Sequence, residues 1–199
     1  MELREPAKVA YTQLRNPMAP SIPLDHIAKF TSESAHSFTA PTTVQPLFIA
    51  AGWYPGRTVP LPPSIPPNHP AATILTQFGG LRVGTAGPGQ ECATDDVAFQ
   101  ELSPNMTRDA WARLLRTELI GIAETHNAHG EFYIDSAGRC YGASQIHDAF
   151  WFGGASFNEA IERMLLGRRS RPMLRPNQNV VQMYGEEIRA DDARVYKWE

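Results

Sequence analysis

Ser136-Ala137-Gly138 lies between two short runs rich in apolar and aromatic residues, Glu131-Phe132-Tyr133-Ile134-Asp135 and Arg139-Cys140-Tyr141. A three-residue hairpin loop needs a positive φ at its last position, which glycine adopts without a steric cost, and Gly138 stands there. This tripeptide commits the middle of the chain to an antiparallel strand pair. A lone hairpin is barely stable in water, so further strands and a covering layer must follow. Leu119 to Glu124 reads as a neighbouring strand, and the alternations Leu81/Val83 and Val97/Phe99 read as two more.

Covering helices are written around these strands. Val44 to Ala51 is expected as a short helix, capped by Thr43 and stopped by Gly52. Asn68 is expected to cap a second, with Pro70 in its first turn, where the missing N–H costs nothing. Its Ala71, Ile74, Leu75 and Phe78 share one helical face, and Gly79 ends it. Thr107 is expected to cap a third helix, carrying Trp111, Leu114 and Leu115. Ser156 and Glu159 have capping-box spacing for a helix from Phe157 to Leu166. There Phe157, Ala160, Ile161, Met164 and Leu165 make one buried stripe, and Gly167 is the stop. The prolines from Pro60 to Pro70 force a loop, since proline neither continues a helix nor donates to a ladder.

The expected fold class is therefore α+β: a single domain with a mainly antiparallel sheet and helices packed against it. Residues 44–167 hold the domain. Residues 1–43 are a proline-dotted extension with one short helix around Leu24–Phe30, and residues 168–199 are a basic extension. Val180–Tyr184 and Arg194–Trp198 are the strand candidates of that second extension.

A chain of 199 residues buries a sizeable core without a metal or disulfide framework. The opening MELREPAKVAYTQL has no apolar signal region, and no apolar run approaches the ~18 residues of a membrane span. The expected compartment is the cytoplasm, with Cys92 and Cys140 reduced. The formal net charge of -3 is unevenly spread: residues 44–167 carry 12 acidic and 7 basic side chains, and residues 168–199 carry 5 and 7. An acidic domain disfavours direct binding of nucleic acid and suits a basic protein partner.

In order along the chain, four segments resemble the third family of the SUKH superfamily, whose members include bacterial immunity proteins. They are Ala51-Gly52-Trp53-Tyr54-Pro55-Gly56-Arg57, Phe78-Gly79-Gly80-Leu81, the hairpin Tyr133 to Gly142, and Ser156-Phe157-Asn158-Glu159-Ala160. The resemblance covers about Val44 to Gly167. It implies a scaffold that neutralises a toxin domain, often a nuclease or deaminase, through a variable face, with no catalysis and no cofactor. The cognate toxin is the expected partner; neither a membrane nor nucleic acid is.

Within that reading, Glu91, Asp95, Asp96 and Glu101 gather in eleven residues and are the candidates for an acidic face toward a basic toxin. Phe150-Trp151-Phe152, before Gly153-Gly154, is expected in a connection, mostly as core, with Trp151 as the exposed anchor. Two other readings of the function stand beside this one. One is a general protein-interaction module of the same fold. The other is a metal-dependent hydrolase using His126, His129 and Cys140, with Cys92 completing a ligand set, although solvated loop histidines fit the Asn127-Ala128 spacer better. Gly84 to Gln90 lacks the Gly-Lys-Ser/Thr ending of a phosphate loop and is expected as a strand connection. Arg168, Arg169, Arg171 and Arg175 are too few and too mixed with other residues for a nucleic-acid site.

Overall fold

In the structure, a computed structural model that describes residues 40–198, seven strands pair in the order in which the chain visits them. They are β1 (Arg82–Gly87), β2 (Thr94–Phe99), β3 (Leu119–Thr125), β4 (Gly130–Asp135), β5 (Cys140–Ser144), β6 (Phe150–Gly154) and β7 (Arg171–Met173). Every pairing is antiparallel. The helices are α1 (Gln45–Ala50), α2 (Pro70–Phe78), α3 (Met106–Leu115) and α4 (Phe157–Leu165), and a separate hairpin joins β8 (Val180–Met183) to β9 (Glu186–Arg189). This is the α+β arrangement expected. The short helix expected around Leu24–Phe30 lies outside the described residues.

The central hairpin is closed by a buried carboxylate as well as by its glycine. Asp135 accepts from the amides of Ala137 at 2.9 Å and Arg139 at 2.8 Å through one oxygen. The other accepts from Arg139 Nε at 2.7 Å and from the Tyr141 hydroxyl at 3.2 Å. Gly138 has φ +85°. A side chain with no exposed area is thus matched by four donors, which a buried charge requires.

Alternation along the strands gives the sheet two apolar faces. On one, Phe99, Phe132, Ile134 and Cys140 meet Phe48 of α1, Phe78 of α2 and Phe157 of α4. The Phe78 and Phe157 rings stack 5.8 Å apart at 8°. On the other, Tyr133, Tyr141 and Phe150 pack against Trp111 of α3, whose ring lies 4.3 Å from that of Phe150. Each fully buried phenylalanine contributes up to about 3 kcal/mol, so these two layers dominate the stability.

Several local details differ from expectation. His69, not Asn68, caps α2, its Nδ1 accepting from Ala71 N at 3.1 Å. Asn105, not Thr107, caps α3, its Oδ1 accepting from Arg108 N at 2.9 Å. Thr43 does not cap α1, which starts after Val44 without a side-chain cap; its hydroxyl donates instead to the Glu162 carboxylate. At α4, Ser156 Oγ accepts from Glu159 N at 3.3 Å, while Glu159 reaches back to Ala155 N at 2.9 Å. Phe150-Trp151-Phe152 is strand β6 rather than a connection, so Phe150 and Phe152 share a face and Trp151 takes the other. Gly84 to Gly87 belong to β1, leaving only residues 88–93 as the connection. Arg194–Trp198 is not a strand; β8 pairs with β9 across the turn Tyr184-Gly185, both at positive φ, and Tyr196 and Trp198 cover the Trp111 face.

Candidate functional site

An antiparallel sheet in chain order sends alternate connections to the same end. Residues 88–93, the β3–β4 turn 126–129 and the β5–β6 connection 145–149 therefore emerge together. The middle one is held in a costly conformation. His126, Asn127 and Ala128 have φ values of 53°, 52° and 65°, three consecutive left-handed residues with no glycine among them. Each costs roughly 1–2 kcal/mol relative to a right-handed conformation, so the turn persists only because its surroundings hold it.

The holding groups come from β2. Asp96 O accepts from His126 N at 3.2 Å, and Asp96 Oδ1 accepts from Asn127 N at 2.8 Å. Its Oδ2 pairs with Arg82 on β1. Next to it, Asp95 Oδ1 lies 3.1 Å from His126 Nδ1. Burial pushes the Asp95 carboxyl above its ordinary range, His126 opposes that rise, and Asp96 adds to it. A further tie comes from Gln145 N, which donates to His129 O at 2.9 Å and joins the two turns.

The sequence candidates divide accordingly. Glu91, Asp95, Asp96 and Trp151 all belong to this end of the sheet, whereas Glu101 follows the far end of β2 and accepts from Ser64. The four carboxylates do not form one acidic face. Asp96 is 5 % exposed, because a backbone amide and Arg82 take up its oxygens. Glu91 is exposed and accepts from Arg169 N at 2.8 Å; Asp95 is half-buried. Trp151 is half-buried too, its ring lying over Gly142 directly opposite on β5, where any Cβ would overlap it.

Two grooves flank this end. One, of about 340 Å³, is lined by Trp151 and Asp95 together with His126, Met164, Met183 and Tyr184. The other, of about 510 Å³, opens on the opposite face among Asn105, Met106, Glu131, Gln145, Phe150 and Arg175. The β5–β6 connection is the ridge between them, since Ser144, Ile146, His147 and Ala149 line both. Ile146 on that ridge is 61 % exposed, and Met106 is 89 % exposed. Neither was singled out from the sequence, where each is one apolar residue in a polar stretch.

The histidine–cysteine alternative does not assemble. His126, His129 and Cys92 all line the first groove, the two rings 6.1 Å apart, but Cys140 is buried in the core away from them. Burial pushes the Cys140 thiol well up and the Cys92 thiol up, away from the thiolate that ligation or nucleophilic attack needs. Among the described residues, no group of three or more His, Cys, Asp or Glu could hold a metal ion. Nor is any helix among them long and apolar enough to cross a membrane.

No curated protein and no solved structure matches the chain. The family described as SUKH-3 immunity protein matches residues 65–167, from the loop before α2 through α4 to the glycine that follows it. That span includes the strained turn and the β2 carboxylates that hold it, and it covers more than half of the chain. The chain belongs to the SUKH-3 immunity protein family.

Proposed function

We propose that this chain binds a cognate bacterial toxin in the cytoplasm and blocks its active site or substrate path, without catalysis of its own. The toxin we favour is one that attacks nucleic acids, a nuclease or a deaminase. Residues 44–167 carry the turn-bearing end in this reading, and β7 with Arg175, Met183 and Tyr184 completes its sheet and groove walls. The observation that carries it, in a chain of an immunity family, is the strained His126-Asn127-Ala128 turn beside the exposed Ile146 ridge. Strain kept at a surface end has no use in core packing and pre-shapes a contact surface.

Electrostatics supports the choice of toxin. Residues 44–167 carry a balance of -5, and Glu91 and Asp95 sit at the turn-bearing end. A nucleic-acid enzyme presents a basic surface, toward which an acidic inhibitor steers before contact forms. The test is co-expression with the toxin encoded beside this gene, followed by association and dissociation kinetics at several ionic strengths. Joint Glu91→Lys and Asp95→Lys exchange should slow association, and Trp151→Ala should speed dissociation. Killing that continues in the presence of the protein, with no complex at low salt, would defeat the proposal. Tight binding that ignores both salt and the exchanges would keep the partner and discard the acidic steering.

A further inference from the structure

The larger groove holds a charge that no cation among the described residues is paired with. Glu131 accepts from Asn105 Nδ2 at 3.0 Å and 2.8 Å, from the Tyr133 hydroxyl, and from Gln145 Nε2 at 3.3 Å. Every one of these donors is neutral, and Glu131 has no ion-pair partner among the described residues. The nearby cations are already taken: Arg175 pairs with Asp148, and Arg108 with Asp109 at 2.7 Å. The groove is therefore acidic by one charge, and that charge sits at a point fixed by hydrogen bonds on several sides.

We propose that this groove receives an arginine side chain of the bound protein, its guanidinium on Glu131. The proposal rests on the toxin-binding reading above and names the anchor that the partner would insert. A planar guanidinium engages a carboxylate through two parallel N–H donors, which a single ammonium does not do. Met106 and Ile146 at the mouth are the exposed apolar groups against which the three methylenes of the arginine stem pack. The donor displaced is Gln145 Nε2, because its bond is the longest of those measured and its side chain is exposed. The half-buried donor Asn105 and the buried donor Tyr133 stay in place and keep the carboxylate oriented.

The groove is testable without the toxin. Nuclear magnetic resonance of the full chain is followed during titration with N-acetyl-arginine N-methylamide, and with the lysine and norleucine equivalents as comparison probes. The expected result is a saturable shift of the Gln145 side-chain amide and the Trp111 indole, with a Kd on the order of millimolar. The lysine probe should bind several-fold more weakly and the norleucine probe not at all. Glu131→Gln keeps the volume and should lose about tenfold or more. Gln145→Ala removes the competing donor from an exposed position and should tighten binding two- to threefold by the same reasoning. No saturable shift in the parent chain, or equal binding by Glu131→Gln, would overturn the inference. With a toxin in hand, neutralisation indifferent to Glu131→Gln would overturn the inference and leave the proposed function standing. Capped-arginine binding with no toxin complex would do the reverse, keeping the groove's chemistry and removing the toxin as its partner.

Discussion

Helix α4 offers the sharpest test of the fold, because two of its side chains one turn apart pack against the same core but differ in burial. Ile161 has no exposed area and belongs to the core cluster formed by α1, α2 and the sheet. Met164 is half-buried and lines the smaller groove. Truncating Ile161 to Ala removes three carbons at about 0.8 kcal/mol each, or roughly 2.4 kcal/mol of transfer free energy. The cavity left behind raises the cost toward about 5 kcal/mol if the aromatic neighbours do not collapse into it. They are held by contacts with one another, Phe78 stacked on Phe157 and Phe48 and Phe99 tilted against Phe78, so a value of about 3–4 kcal/mol is expected, and with it a Tm lower by roughly 6–16 °C. Met164→Ala should cost less than about 1.5 kcal/mol, its atoms already touching water. Urea titrations of both variants would show it as a large midpoint shift at unchanged slope for Ile161→Ala and a small one for Met164→Ala. Equal midpoints, or an Ile161→Ala cost under about 0.5 kcal/mol, would take α4 off the sheet and with it the floor of the groove.

Ala128→Gly should stabilise the protein by about 1 kcal/mol in the same titration, because glycine adopts the φ of 65° found there without the Cβ clash. If the strain pre-shapes the contact surface, toxin association should slow although the fold is firmer. Asp95→Asn should be more stable than the parent at pH 7, since the fold raises the carboxyl's pKa and so disfavours its ionised form. The gain should shrink as pH falls through the raised value and be gone near pH ~4, where the unfolded chain binds the proton as well. A gain that does not vary with pH would mean that Asp95 acts through geometry instead. Cys92 should react with a thiol reagent in the folded protein and Cys140 only at the rate of global unfolding, one being half-exposed and the other fully buried. Two equally fast cysteines would contradict the core placement of β5.

The fold was legible where local chemistry is unambiguous. Gly138 and Asp135 mark the hairpin, and the helical spacing in α2 and α4 survives almost residue for residue. Helix starts were less so, because His69 takes the cap position in place of the adjacent Asn68, and Asn105 in place of Thr107. Strand β6 was hidden because both faces of the sheet are covered there, so its aromatic run lacks the polar alternation of an exposed strand. The site was only partly legible. Asp95 and Asp96 stand beside each other in the chain, but one borders a groove while the other holds a turn, and the pleat alone separates them. The turn was opaque for a different reason: His-Asn-Ala-His contains no glycine to announce its left-handed backbone.

A sheet whose strands pair in chain order also bears on how such a protein diversifies. Among the described residues no strand crosses between two others, so lengthening the 126–129 turn or the 145–149 connection leaves the register of every other pair as it was. The turns at that end can be lengthened or exchanged without repacking the layers below, although the Gln145 N–His129 O bond ties the 145–149 connection to the 126–129 turn. Recognition of a new antagonist can be acquired one loop at a time, while the hairpin closed by Asp135 at the opposite end stays constant.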